Sequence, residues 1–174
     1  KYIILVLIII INLSSFFAKD ISVSQAITAA NTYFNYSKKV PSNNLNPFIA
    51  KESAYFDKDR NKHIAFYVID MSNNNGFIIV SGTDETIPIL GYVDHGYYDE
   101  TKIPAGLKKL MFNYNKEIKQ ITRNKDIKST SSIKKKWNDL LSGNMYQVKA
   151  SSVNPLLTTT WGQSTGGYNT LCPS

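Results

Sequence analysis

Ser72-Asn73-Asn74-Asn75-Gly76-Phe77-Ile78-Ile79-Val80-Ser81-Gly82 decides the reading of this chain. Asn75-Gly76 accepts the positive φ of a tight turn, so the run announces a hairpin. Phe77 to Ser81 is apolar almost throughout, which predicts a central strand buried on both faces. Upstream, His63 to Met71 is rich in β-formers, with Phe66, Val68 and Ile69, and pairs naturally across that turn. Before it, Asp57 to Lys62 is a polar turn and Ser53 to Phe56 a short strand. Downstream, Gly82-Thr83-Asp84-Glu85 turns the chain, Ile87 to Val93 forms another strand, and Tyr97-Tyr98 extends the sheet. Short strands joined by tight turns make an antiparallel meander of about four strands.

The period changes on either side. Ser22 with Gln25 three residues later is a capping box. Val23, Ala26, Ile27, Ala30, Tyr33 and Phe34 follow on one helical face, with an end expected near Tyr36. Ser37 to Pro47 reads as a loop. Beyond the sheet, Ile103, Leu107, Leu110, Met111, Tyr114, Ile118 and Ile121 line a helix that packs its apolar stripe on the sheet. Pro104 suits its first turn. Lys108, Lys109, Lys116 and Lys119 fall on or near the opposite face. Ser132 to Ser142 is a shorter helix, with Gly143 to cap its end. The fold class is therefore α+β: a sheet packed with an N-terminal helix and two C-terminal helices, and an extended C-terminal tail.

The ends are different in character. Lys1 precedes a wholly apolar or aromatic run from Tyr2 to Ile11, and Asn12 to Ala18 leads out of it. A basic start, a short apolar core and a small-residue exit describe a secretory signal peptide cut after Ala18. The apolar run is short for a membrane span, which needs about 20 residues. Gln147 to Ser152 is small and polar, an exposed linker that a peptidase can cut. The chain starts at Lys1 rather than Met and finishes on Cys172-Pro173-Ser174, so both ends are expected to be truncations of a longer reading frame.

The 174 residues carry a formal charge of +7, concentrated between Lys102 and Lys136, where eleven Lys or Arg face two acids. A nucleic-acid surface, a solvated helix face and complementarity to an acidic partner domain are the three readings. The first is disfavoured because the aromatic residues mostly lie elsewhere. Candidate chemistry is thin. Cys172, His63 and His95 are widely spaced and form neither a Cys–His nucleophilic pair nor a zinc site, and both histidines read as surface residues. Ser81-Gly82 lacks the flanks of a nucleophile elbow. No catalytic residue, metal or cofactor is assigned.

Two stretches carry a resemblance. Asn75 to Asp84, with Pro88-Ile89-Leu90-Gly91-Tyr92, is similar to the "GGFVIVSGD…PEILGY" core of the propeptide of streptopain-like cysteine peptidases. Val153-Asn154-Pro155-Leu156-Leu157, Trp161-Gly162-Gln163, Tyr168-Asn169 and Cys172-Pro173 resemble the opening of the mature enzyme in the same family. Gly166-Gly167 departs from the usual Pro before Tyr-Asn. The resemblance implies a division into a signal peptide (1–18), a Spi-like inhibitory propeptide (19–149) and a linker with the start of the mature domain (150–174). Cys172 then matches the "CP" motif and not the nucleophile, and the catalytic Cys and His belong to segments beyond this stretch. The loop Asp99-Glu100-Thr101-Lys102-Ile103-Pro104 is implied to reach the catalytic cleft, with Lys102 standing where Asn is common; an ordinary strand–helix connector is the equal alternative. Lys149 and Ala150 mark the maturation boundary. The implied function is intramolecular inhibition, and assistance in folding, of a secreted or surface cysteine endopeptidase. Its partner is its own or a cognate catalytic domain, with no nucleic acid and no stable membrane insertion once the signal is removed. A free-standing secreted inhibitor and a non-enzymatic cell-surface binding module are the alternatives.

Overall fold

The computed structural model describes residues 20–38, 45–124 and 126–144. Helix α1 (Val23–Lys38) leads into strands β1 (Phe48–Phe56), β2 (Lys62–Asp70), β3 (Phe77–Ser81) and β4 (Ile89–Val93), followed by helices α2 (Ala105–Arg123) and α3 (Ser131–Leu141). The strands pair antiparallel in chain order, β1-β2-β3-β4. The α+β architecture expected from the sequence is the one observed.

Successive side chains on a strand point to opposite faces, and both faces of this sheet are covered. Tyr67, Ile69, Ile78 and Val80 pack with Ala26, Ala29, Ala30 and Phe34 of α1 and with Trp137 and Leu140 of α3. Phe66, Val68, Phe77 and Ile79 face the other way, onto Met111 and Ile118 of α2. The sheet is therefore the middle of three layers. Every residue of β3 is buried, which is why its sequence shows no polar alternation.

Local signals hold at the helix ends. The Ser22 hydroxyl accepts from the Gln25 amide and the Gln25 side chain accepts from the Ser22 amide, closing the capping box. At the end of α3, Gly143 adopts φ 81, Asn144 N–H donates to Asp139 and Gly143 N–H to Leu140, a Schellman arrangement. Thr130 caps its start by accepting from the Ile133 amide.

Three expectations are corrected. Strand β1 starts at Phe48, five residues before the expected Ser53, because two bulges break the alternation that would have announced it. Helix α1 runs two residues past Tyr36. The β2–β3 hairpin forms across Ser72 to Gly76 as expected. Positive φ falls on Ser72, Asn73 and Asn74 and then on Gly76, and Met71 N–H donates to the Gly76 carbonyl. Asn bears such angles at little cost. Tyr97-Tyr98 does not extend the sheet, since the Tyr98 amide donates to the buried Asp70 carboxylate at 2.9 Å. The other Asp70 oxygen accepts from the Ser72 amide. One buried acid thus ties the β2–β3 turn to the segment leading out of β4.

Candidate functional site

The connection from β4 to α2 carries the six residues singled out in the sequence. Asp99 builds it. Its Oδ1 accepts from the Thr101 amide at 3.0 Å and hydroxyl at 2.6 Å, and Lys102 Nζ lies 3.1 Å from Oδ2. Its carbonyl accepts from the amides of Lys102 and Ile103. These contacts hold the Asp99 carboxyl at about 2, the Thr101 hydroxyl contributing most and Lys102 next. The same carboxylate pushes the Lys102 ammonium above its ordinary value.

Both ends of the turn are fastened. Glu100 pairs with Lys51, so the connection crosses from the β4 edge to β1. Ile103 packs on the α2 side of the core. Pro104 occupies the N-cap of α2 with φ −58, and Lys108 N–H returns to its carbonyl. Between these anchors Glu100, Thr101, Lys102 and Pro104 are exposed. The result is a preorganised projection on a rigid platform, and preorganisation lowers the ordering cost of binding. The Lys51 partnership was invisible in the sequence, because it joins positions 49 residues apart.

The remaining candidates are structural. His63 sits in β2 with Nδ1 3.2 Å from Asp20 and Nε2 3.2 Å from Asp57, its ring stacked on Tyr55. It fastens the segment before α1 to the β1–β2 turn. His95 is exposed and contacts Asp94. The buried Ser81 hydroxyl donates to the Thr83 carbonyl, accepts from the Thr83 amide and contacts the Thr86 hydroxyl, which makes it a turn organiser. Among the described residues, no three His, Cys, Asp or Glu side chains converge on a point where a metal would sit. Ala18, Lys149, Ala150 and Cys172 lie outside the described residues.

Both sheet edges are guarded by α2. The Tyr114 hydroxyl donates to the Leu90 carbonyl on β4 at 2.7 Å, and Arg123 donates to the Phe56 carbonyl on β1. Such capping blunts the strand-to-strand pairing that open edges invite.

The model of the Spi protease inhibitor family matches residues 18–118. The chain belongs to the Spi protease inhibitor family. No curated protein and no solved structure matches it. The matched stretch contains α1, the whole sheet, the Asp99–Pro104 loop and most of α2. A Spi domain has a protease as its partner and serves to block a peptidase rather than to catalyse. Among the described residues of this one, no helix is long and apolar enough to cross a membrane.

Proposed function

We propose that this chain is the propeptide region of a secreted streptopain-like cysteine endopeptidase, a Spi domain that inhibits the catalytic domain attached to it. The observation that carries the reading is the family match over residues 18–118, combined with the enzyme-like stretch from Val153 to Pro173 that follows the domain. A free-standing inhibitor has no use for that stretch. The proposed division is a signal peptide to Ala18, the inhibitory domain to Lys149, and the opening of the peptidase from Ala150.

In this reading the Asp99–Pro104 turn enters the catalytic cleft and keeps substrate out. Tethering in one chain raises the local concentration, so modest contacts suffice while the linker is intact. Cutting near Lys149-Ala150 turns a tethered inhibitor into a dissociable one. The domain also assists folding of the peptidase, and refolding of the mature part alone to full activity would sink that idea.

The direct test is inhibition by residues 19–149 of a purified streptopain-like peptidase, preferably the one encoded with this chain. Stoichiometric inhibition is the expected result. A folded domain that leaves that enzyme untouched overturns the proposal.

A further inference from the structure

The outer face of α2 carries an unusual charge arrangement. With 3.6 residues per turn, Lys108, Lys119, Phe112, Arg123, Lys116 and Lys109 fall within a sector of about 100°, over a length of about 22 Å. This sector is turned away from the row of Leu107, Met111, Tyr114 and Ile118 that packs on the sheet. Glu117 is the helix's sole acid and lies outside it. Arg123 reaches back to the Phe56 carbonyl and the Lys119 ammonium lies 6.0 Å from the Tyr55 ring centre, so Lys108, Lys109 and Lys116 are the outward charges. None of the five cations forms an ion pair with a described residue, whereas Lys51, Lys62, Lys102 and Lys135 each do. Like charges at i, i+3 and i, i+4 repel, and lysines in the first turns oppose the helix dipole. Lys108, Lys109 and Lys116 therefore weaken the helix within the isolated domain, while Arg123 in the last turn suits the dipole.

Phe112 stands in the middle of it, 61% exposed, with the Lys109 ammonium 5.2 Å from the ring centre. At an exposed site a cation over an aromatic face gives a modest bias on the ring's position. The stripe also begins directly after the Asp99–Pro104 turn, so a partner touching one is placed to touch the other.

We infer that this face of α2 is a docking surface for an acidic protein face, with Phe112 as its apolar anchor, on the peptidase that the domain inhibits. The inference rests on the inhibitor reading above and names the surface that reading leaves open. An acidic partner supplies the missing counter-charges, steers the encounter and sets the orientation in which the turn meets the cleft. Insertion into a lipid surface is disfavoured because Leu107, Met111, Tyr114 and Ile118 are packed on the sheet and only Leu110 and Phe112 of the large apolar residues of α2 are exposed. A nucleic acid is disfavoured because a single exposed aromatic gives no row for stacking bases.

The test compares the full chain with Lys108→Glu/Lys109→Glu/Lys116→Glu and with Phe112→Ala, against a cysteine peptidase that the wild-type chain inhibits. Glutamate at positions 108 and 109 suits the start of the helix better than lysine and Lys116 is exposed, so the triple variant is expected to fold, which circular dichroism checks. The expected result is a fall in association rate of about tenfold or more, with the salt dependence lost or reversed. Phe112→Ala raises the dissociation rate. A control reversal, Lys58→Glu with Lys134→Glu, leaves both rates unchanged. If wild type inhibits and the triple variant inhibits equally fast, the docking surface is wrong and the inhibitor reading stands. If wild type inhibits no such peptidase, both fall together. Wild-type binding to phosphatidylserine vesicles or duplex DNA that the triple reversal abolishes, with peptidase association unaffected, also overturns it.

Discussion

Trp137 donates its indole N–H to the carbonyl of Thr86 at 2.9 Å. Thr86 lies within the matched family segment and Trp137 well beyond its end at residue 118. Helix α3 nonetheless puts Trp137 and Leu140 into the core against α1, with Leu140 wholly buried. The folding unit is thus longer than the matched segment. Trp137→Ala is expected to cost about 3–5 kcal/mol, as large core truncations do. A chain stopped at Asn124 should show an early, shallow urea transition by far-ultraviolet circular dichroism. A sharp, wild-type transition for that truncation would show that α3 is dispensable.

Gly76 combines φ 85 with a close approach, since a Cβ there would sit 1.9 Å from the Val93 carbonyl oxygen. Gly82 has the same difficulty against the Ile64 carbonyl at 2.0 Å. Backbone atoms cannot give way as a flexible side chain does. Gly76→Ala should therefore lower stability by more than about 1–3 kcal/mol, the usual cost of a strained residue. Thermal unfolding reads this directly, and an unchanged midpoint would contradict the geometry.

Acid sensitivity follows from two turns. Asp57 is held at about 2 rather than 3.8, the Asn61 side-chain amide being the largest cause and His63 among the others. Asp99 is held at about 2 by Thr101 and Lys102. A carboxyl depressed in the folded state adds stability above its unfolded value, and the gain disappears as pH falls through the folded one. The domain should lose stability between about pH 4 and about pH 2. Asp57→Asn with Asp99→Asn should be less stable at neutral pH and flatter through that window in a series of urea titrations.

The projecting turn separates two roles for Asp99 and Lys102. Asp99→Ala removes the acceptor that Thr101 needs, and should weaken inhibition about tenfold or more through lost preorganisation, measured below the lowered thermal midpoint where the variant is still folded. Lys102→Asn leaves the Asp99 acceptors in place and should retain or improve inhibition. Inhibition constants against the peptidase distinguish these outcomes. Equal constants for wild type and Asp99→Ala would remove the turn from the inhibitory contact.

Loss of the Tyr114 hydroxyl tests the edge cap. Tyr114→Phe frees the Leu90 carbonyl and should cost about 1 kcal/mol, the net worth of one such hydrogen bond. A rise in self-association, seen by sedimentation, would accompany the opened edge.

The sequence by itself determined the order and type of the elements. Runs such as Phe77 to Ser81, the Ser22–Gln25 box and the Leu107–Ile121 stripe are local patterns, and local sterics and periodicity suffice to interpret them. It also marked the Asp99–Pro104 turn and the lysine-rich side of α2. The first part of β1, Phe48 to Glu52, escaped because its bulges erase the period of two. Only the tertiary structure decided which helix lies on which face, that Asp70 reaches Tyr98, that Lys51 meets Glu100, and that His63 sits between Asp20 and Asp57. Those partners are distant along the chain, and no spacing rule relates them. Their meeting depends on the twist and layering of the whole sheet, which buries apolar area on both faces and brings the remaining polar groups together at its ends.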